Sequence, residues 1–174
     1  MKEVIFFGKV IILLFTTTAV YMDLAEEQIP NYWIIAGWMT GFVLQVYLSG
    51  CNGIFVFLTG GSVPIFLLFL LFYFRMMGAG DIKLLSVLGG LMGPEAILFC
   101  IFYSFICSAI LSFAILYICD NFKERFQYFI TYIHQCFQSK QRIPYRLPGK
   151  KRQEHLHFSV AVLMGVLLWI GGIY

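Results

Sequence analysis

Charge is scarce in this sequence. Lys, Arg, Asp and Glu make up 12 % of its 174 residues, against about 25 % in a typical soluble domain. With 60 % of positions hydrophobic, there is too little polarity to cover a globular surface. That excludes an ordinary soluble enzyme, a disordered tail and a nucleic-acid-binding domain. Paired cysteines are missing as well. Cys51, Cys100, Cys107, Cys119 and Cys136 contain no CxxC spacing, so no zinc or redox motif is present and no structural disulfide is expected. An isolated Cys in an apolar run behaves as a small hydrophobe. His134, His155 and His157 lack metal-ligand spacing, and neither metal nor cofactor is expected. There is no G-x-S-x-G and no Cys–His arrangement to supply another nucleophile. No internal repeat is visible, which argues against a transporter built from duplicated halves. No A-x-A site follows the first apolar run, and Lys9 interrupts it, so that run reads as a retained helix and not a cleaved signal.

What is present is a series of apolar runs. They extend from Val4 to Met22, Tyr32 to Leu48, Ile54 to Phe74 and Ile82 to Met92. A fifth starts at Gly93-Pro94, where Pro suits a first helical turn, and reaches Cys119; the last covers Phe158 to Tyr174. A spanning helix needs about 20 apolar residues. The expected fold is therefore all-α: a polytopic membrane protein of about six transmembrane helices, one domain over residues 1–174. Gly60, Gly61 and Pro64 mark kink positions in the third run. Gly37-x-x-x-Gly41 and Gly89-x-x-x-Gly93 mark close helix contacts.

The basic residues set the orientation. Between Asp120 and His157 stand Lys123, Arg125, Lys140, Arg142, Arg146, Lys150, Lys151 and Arg152. Arg75 and Lys83 flank the start of the fourth run, while the second–third and fourth–fifth connections carry no base. Basic connections stay in the cytoplasm. The first–second, third–fourth and fifth–sixth connections are then cytoplasmic, with both termini outside. The first–second connection carries Asp23, Glu26 and Glu27 and no base, and acids count little here. Within the long basic connection, Phe122, Phe126, Phe129, Ile130, Ile133 and Phe137 recur at helical spacing. They predict an amphipathic cytoplasmic helix between the fifth and sixth spans, lying on anionic headgroups or packed on the bundle.

Two carboxylates stand at cytoplasmic helix ends, Asp23 after the first span and Asp81 before the fourth. Each has an ordinary reading: Asp81 as a helix cap, Asp23 as an interface residue. Length weighs against this for Asp81. From Asp81 to Gly93 is about 20 Å of helix, and the hydrocarbon core is about 30 Å thick. If Gly93 is near the outer face, Asp81 lies below the inner surface, where unwound backbone must be buried or line a wet cavity. Gly78-Ala79-Gly80 reads as a flexible approach to it. Two such carboxylates at close range share one proton. One then activates water while the other protonates the carbonyl oxygen of a scissile peptide, and the proton belongs to the pair.

Gly78-Ala79-Gly80-Asp81-Ile82-Lys83 resembles the G-x-G-D-x-K motif of the type IV prepilin peptidases. Asp23, followed by Ile29-Pro30-Asn31, is similar to the family's first catalytic Asp and its downstream I-P-N. The segment His157-Phe158-Ser159-Val160-Ala161-Val162-Leu163-Met164-Gly165 resembles the family's final helix. GxGD is shared with presenilin-type proteases; the combination with D-x5-I-P-N is more specific. The resemblance implies an intramembrane aspartic endopeptidase that removes leader peptides from prepilins or pseudopilins at the cytoplasmic face of the inner membrane. It implies Asp23 and Asp81 as the dyad, with Gly78, Gly80, Lys83, Pro30 and Asn31 binding substrate or supporting the site. The CxxC-bearing segment of the larger, N-methylating members is missing. The chain is closer to the short, peptidase-only form of tight-adherence (Flp) pili, to which archaeal preflagellin peptidases are related.

The family often has bases between its first Asp and I-P-N, whereas Leu24-Ala25-Glu26-Glu27-Gln28 is acidic here. The two Glu either attract a basic leader or form a solvated turn. Lys83, two positions from Asp81, does not share its helix face and is expected to tune charge or meet a headgroup. Pro30-Asn31 starts the second helix. Asp120 is a third acid at a cytoplasmic end, without a motif. The alternatives are a small proton-coupled transporter using the two Asp as a relay, and a non-enzymatic membrane assembly subunit. A transporter needs charge deeper in several spans, and an assembly subunit has no use for GxGD. Expected partners are the prepilin substrate and the lipid bilayer, with no nucleic acid.

Overall fold

A computed structural model describes residues 2–26, 28–74, 76–118 and 157–173. All regular structure among them is helical: α1 (Lys2–Glu26), α2 (Asn31–Ser49), α3 (Cys51–Tyr73), α4 (Ala79–Met92), α5 (Pro94–Ile118) and α6 (Phe158–Ile170). The six helices match the six apolar runs. Three contain stretches long and apolar enough to cross a membrane, Phe6–Glu26, Cys51–Tyr73 and Pro94–Ile115. Phe55, Phe66, Phe69 and Leu70 of α3 point outward, with Phe66 81 % exposed. Apolar surface of this extent requires lipid, and only a backbone satisfied within each helix can lie in it. The predicted amphipathic helix, the basic connection up to Leu156, Asp120, His134, His155, Arg75 and Glu27 fall outside the described residues.

The chain forms two compact units. One holds residues 1–107 and 157–174; the other, residues 108–156, contributes the end of α5. The centre of the first unit is α4. From Leu84 to Leu91 every residue of this helix is buried, against α3 and α2 foremost and also α1 and α6. At 14 residues it is about 21 Å long, and a helix enclosed on all sides has no need to match the bilayer. Small residues make the enclosure possible. A Cβ built on Gly60 would stand 2.1 Å from the Gly89 carbonyl oxygen, and one on Gly89 the same distance from that of Gly60. Only hydrogen fits between α3 and α4 there.

Polar side chains tie the remaining backbone. Ser86 Oγ donates to the Gly61 carbonyl at 2.7 Å. Gln45 Nε2 donates to the Leu91 carbonyl in the last turn of α4 at 2.9 Å, satisfying one of the acceptors a helix end leaves open. Gly93 ends α4 with φ 88°, a conformation glycine adopts at no steric cost. It is a turn residue that also packs closely on α3, where an added Cβ would stand 3.3 Å from Val56 Cγ1, and Gly37, Gly41 and Gly89 make further close side-chain or backbone contacts.

Helix α6 packs on α1. Lys9 Nζ lies 5.2 Å from the centroid of the Trp169 ring and donates to the Ile170 carbonyl at 3.4 Å. The one cation inside the first apolar run is thereby met by an aromatic face and a helix C-terminus.

Two boundaries differ from the sequence expectation. Helix α1 does not stop before Asp23 but carries it in its last turns, ending at Glu26. And Gly78-Ala79-Gly80 is not an unwound loop. Only Gly78 precedes the helix, as an extended N-cap with φ −72° and ψ 148°. Ala79 and Gly80 are already helical, so Asp81 stands in the first turn of α4. The acid itself explains this, because a carboxylate is favourable beside the unpaired N–H groups that open a helix.

Candidate active site

The end of α1 and the start of α4 bring Asp23 and Asp81 together. Asp81 accepts a backbone hydrogen bond from Gly78 and lies within electrostatic reach of both Asp23 and His157. Gly78 is close-packed on it: a Cβ there would stand 3.3 Å from Asp81 Oδ2. Gly80 differs, with no atom within 4 Å of where its Cβ would be. The first motif glycine therefore touches the carboxylate, and the second borders open space.

Asp23 is held from the other side. Ser159 Oγ donates to Asp23 Oδ2 at 2.5 Å, and His157 Nδ1 lies 3.1 Å from the same oxygen. Ser159 is fully buried; the Asp23 and His157 side chains are 16 % and 28 % exposed. The carboxylate pair is thus half sheltered, with a route to water.

Lys83 does not turn to Asp81. Its Nζ donates to Asn31 Oδ1 at 2.9 Å, as its place two residues along the helix requires. Pro30 is the extended N-cap of α2, and Asn31 its first residue. The Lys83–Asn31 bond joins the first turns of α4 and α2 beside the carboxylates. Glu26 ends α1 and is exposed. A cavity of about 550 Å³, lined by Phe69, Phe72, Tyr73, Met76, Met77 and Gly78, opens next to the same glycine. Among the described residues, no three His, Cys, Asp or Glu side chains converge as a metal site would require.

A model of the type IV leader peptidase family matches residues 10–113. The chain belongs to that family. A type IV leader peptidase is a prepilin peptidase, an aspartic hydrolase, and this one is a membrane protein with prepilin processing as its activity. The matched stretch contains Asp23, Pro30, Asn31, Gly78, Gly80, Asp81 and Lys83, and it ends before α6. Comparison with curated proteins and with solved structures gives no match.

His157 and Ser159, which meet Asp23, do not stand out in the sequence beyond the final-helix resemblance, where His157 is a histidine without metal spacing. A signal was available: two polar groups, two positions apart, opening an otherwise apolar run.

Proposed function

We propose that Asp23 and Asp81 are the catalytic dyad of this peptidase, and that it cuts prepilin or pseudopilin leaders at the cytoplasmic face of the inner membrane. The observation that carries this reading is the convergence of two acids 58 residues apart in sequence, one on α1 and one on α4. In the reaction, one carboxylate takes a proton from water as the water oxygen attacks the scissile carbonyl carbon. The protonated partner gives its proton to the carbonyl oxygen. Collapse of the tetrahedral intermediate breaks the C–N bond; the proton taken from water goes to the departing amine, and a hydroxyl of the intermediate returns a proton to the partner carboxylate as the C=O reforms. The leader leaves as a carboxylate, and the mature subunit keeps a new amino terminus.

The remaining features have roles in the same scheme. The open face of Gly80 gives the peptide backbone its approach, and the aromatic and methionine-lined cavity beside Gly78 takes an apolar side chain next to the cut. Lys83 and Asn31 hold the mouth of the site by joining α2 to α4. The substrate's apolar helix stays in lipid while its basic leader remains in the cytoplasm, a reading supported by the eight bases of the Asp120–His157 connection, since basic connections are retained on that side. Residues 1–174 act as one peptidase domain, with 120–157 a cytoplasmic connection within it, in the manner of the short Flp-type enzymes. Co-expression with a candidate prepilin tests the reading: a mobility shift on leader removal is expected with the native chain. Its absence with every tight-adherence-type prepilin tried would overturn the substrate assignment.

A further inference from the structure

Among the described residues, most helical hydroxyls stay within their own helix, while Ser86 and Ser159 reach another element. Thr16, Thr17, Thr18, Thr40, Thr59 and Ser104 each donate to a carbonyl four residues back in their own helix. That is the usual resting place of a helical hydroxyl with no other work. Ser159 is the second residue of α6, so no helical turn precedes it to accept its proton. The proton crosses instead to Asp23 Oδ2, 136 residues away. His157, the N-cap of α6, makes no capping bond with its side chain and turns its Nδ1 to the same oxygen. For an ionised Asp23, that contact is a hydrogen bond only with the proton on Nδ1.

The geometry points to His157 and Ser159 as positioning residues that clamp one oxygen of Asp23 and leave the other to react. The inference rests on the dyad reading above. Among the described residues both bonds reach Oδ2. They fix the rotation of the carboxyl group, which otherwise turns over a broad two-fold well, and Oδ1 becomes the oxygen that exchanges protons with water or substrate. Among the described residues, Asp81 of α4 also lies within electrostatic reach of Asp23, and its own bond comes from the Gly78 backbone. The dyad is thus held asymmetrically, Asp23 by side chains of α6 and Asp81 by its own helix start. Reactive groups must be held within a few tenths of an ångström for full rate, and a charge-assisted bond supplies that restraint.

The test uses the full-length peptidase in lipid with a prepilin substrate, measuring kcat and KM separately. Ser159→Ala and His157→Ala are each expected to lower kcat roughly 10- to 100-fold, the effect of one hydrogen bond to a charged group, with KM unchanged. His157→Asn puts an amide nitrogen near the place of Nδ1 and should recover most of the loss; His157→Leu should not. Asp23→Asn is run alongside. If Asp23→Asn cleaves normally, the dyad reading fails and the clamp with it. If Asp23→Asn is inactive while Ser159→Ala and His157→Ala keep the native kcat, the dyad stands and the clamp is overturned. A loss that appears in KM, or one that His157→Asn leaves unrescued, also overturns it, as a structural effect of α6. Should Ser159→Ala fail to fold, the three His157 variants decide the matter alone.

Discussion

At the scale of single residues, the two carboxylates should be separable from every other acid. Asp23→Asn and Asp81→Asn are each expected to reduce leader removal by about 10²–10⁴-fold while the protein remains folded in the membrane, and Asp120→Asn should cleave normally; a prepilin mobility assay reads all three. The motif glycines should part company in the same way. Gly78→Ala brings a methyl to 3.3 Å from Asp81 Oδ2, so the carboxylate must shift by a few tenths of an ångström, and kcat should fall roughly threefold to tenfold. Gly80→Ala meets nothing within 4 Å and sits in a helical turn, so thermal unfolding should show a gain of about 0.5–1 kcal/mol; activity lost in that stable variant would mark the space as the path of the peptide. The carboxylates and glycines were legible in the sequence because motif spacing within one segment survives folding. The clamp on Asp23 was not, since a hydrogen bond across 134 or 136 residues leaves no periodicity to read.

Among the helices, the sequence marks where each one runs but not which of them is central. Apolar residues around the whole circumference serve equally for a helix facing lipid and for one enclosed by protein. Thus α3 and α4 are both apolar all round and both carry small residues, yet Phe66 of α3 faces outward while α4 is buried from Leu84 to Leu91. The distinguishing sign is length, 23 residues in α3 against 14 in α4. The expectation of a flexible glycine approach to Asp81 failed for a related reason: glycine permits unwinding but does not compel it, and a carboxylate at the third position favours a helix start. Packing at Gly60 and Gly89 is testable directly. With backbone carbonyls 2.1 Å from either added Cβ, Gly60→Ala or Gly89→Ala should destabilise the fold by about 1–3 kcal/mol, read as a lowered unfolding midpoint in detergent. Gly8→Ala, inside α1 with its nearest neighbour a side-chain atom at 3.6 Å, should not lower the midpoint and should raise it slightly through helix propensity.

For the whole molecule, the proposed chemistry and orientation make two measurements decisive. A dyad needs one proton between two groups, so cleavage should follow a bell-shaped pH profile, falling when the proton is lost at high pH and when a second is added at low pH. Chelators should leave the purified enzyme active; complete loss restored by one metal would replace the aspartic mechanism. Cysteine labelling on a background without the native thiols should reach the Asp120–His157 connection from the cytoplasm, and labelling only from outside would invert the arrangement and remove the site from its substrate. The pairing of the first helix with the last also bears on how the enzyme comes into being. A nascent chain inserts α1 well before α6, and Asp23 meets Ser159 and His157 only after α6 has left the ribosome. Until then both acids can already be in the bilayer, but the orientation of one of them is unset. Biosynthesis itself thus acts as a safety catch, with proteolytic competence arriving together with α6.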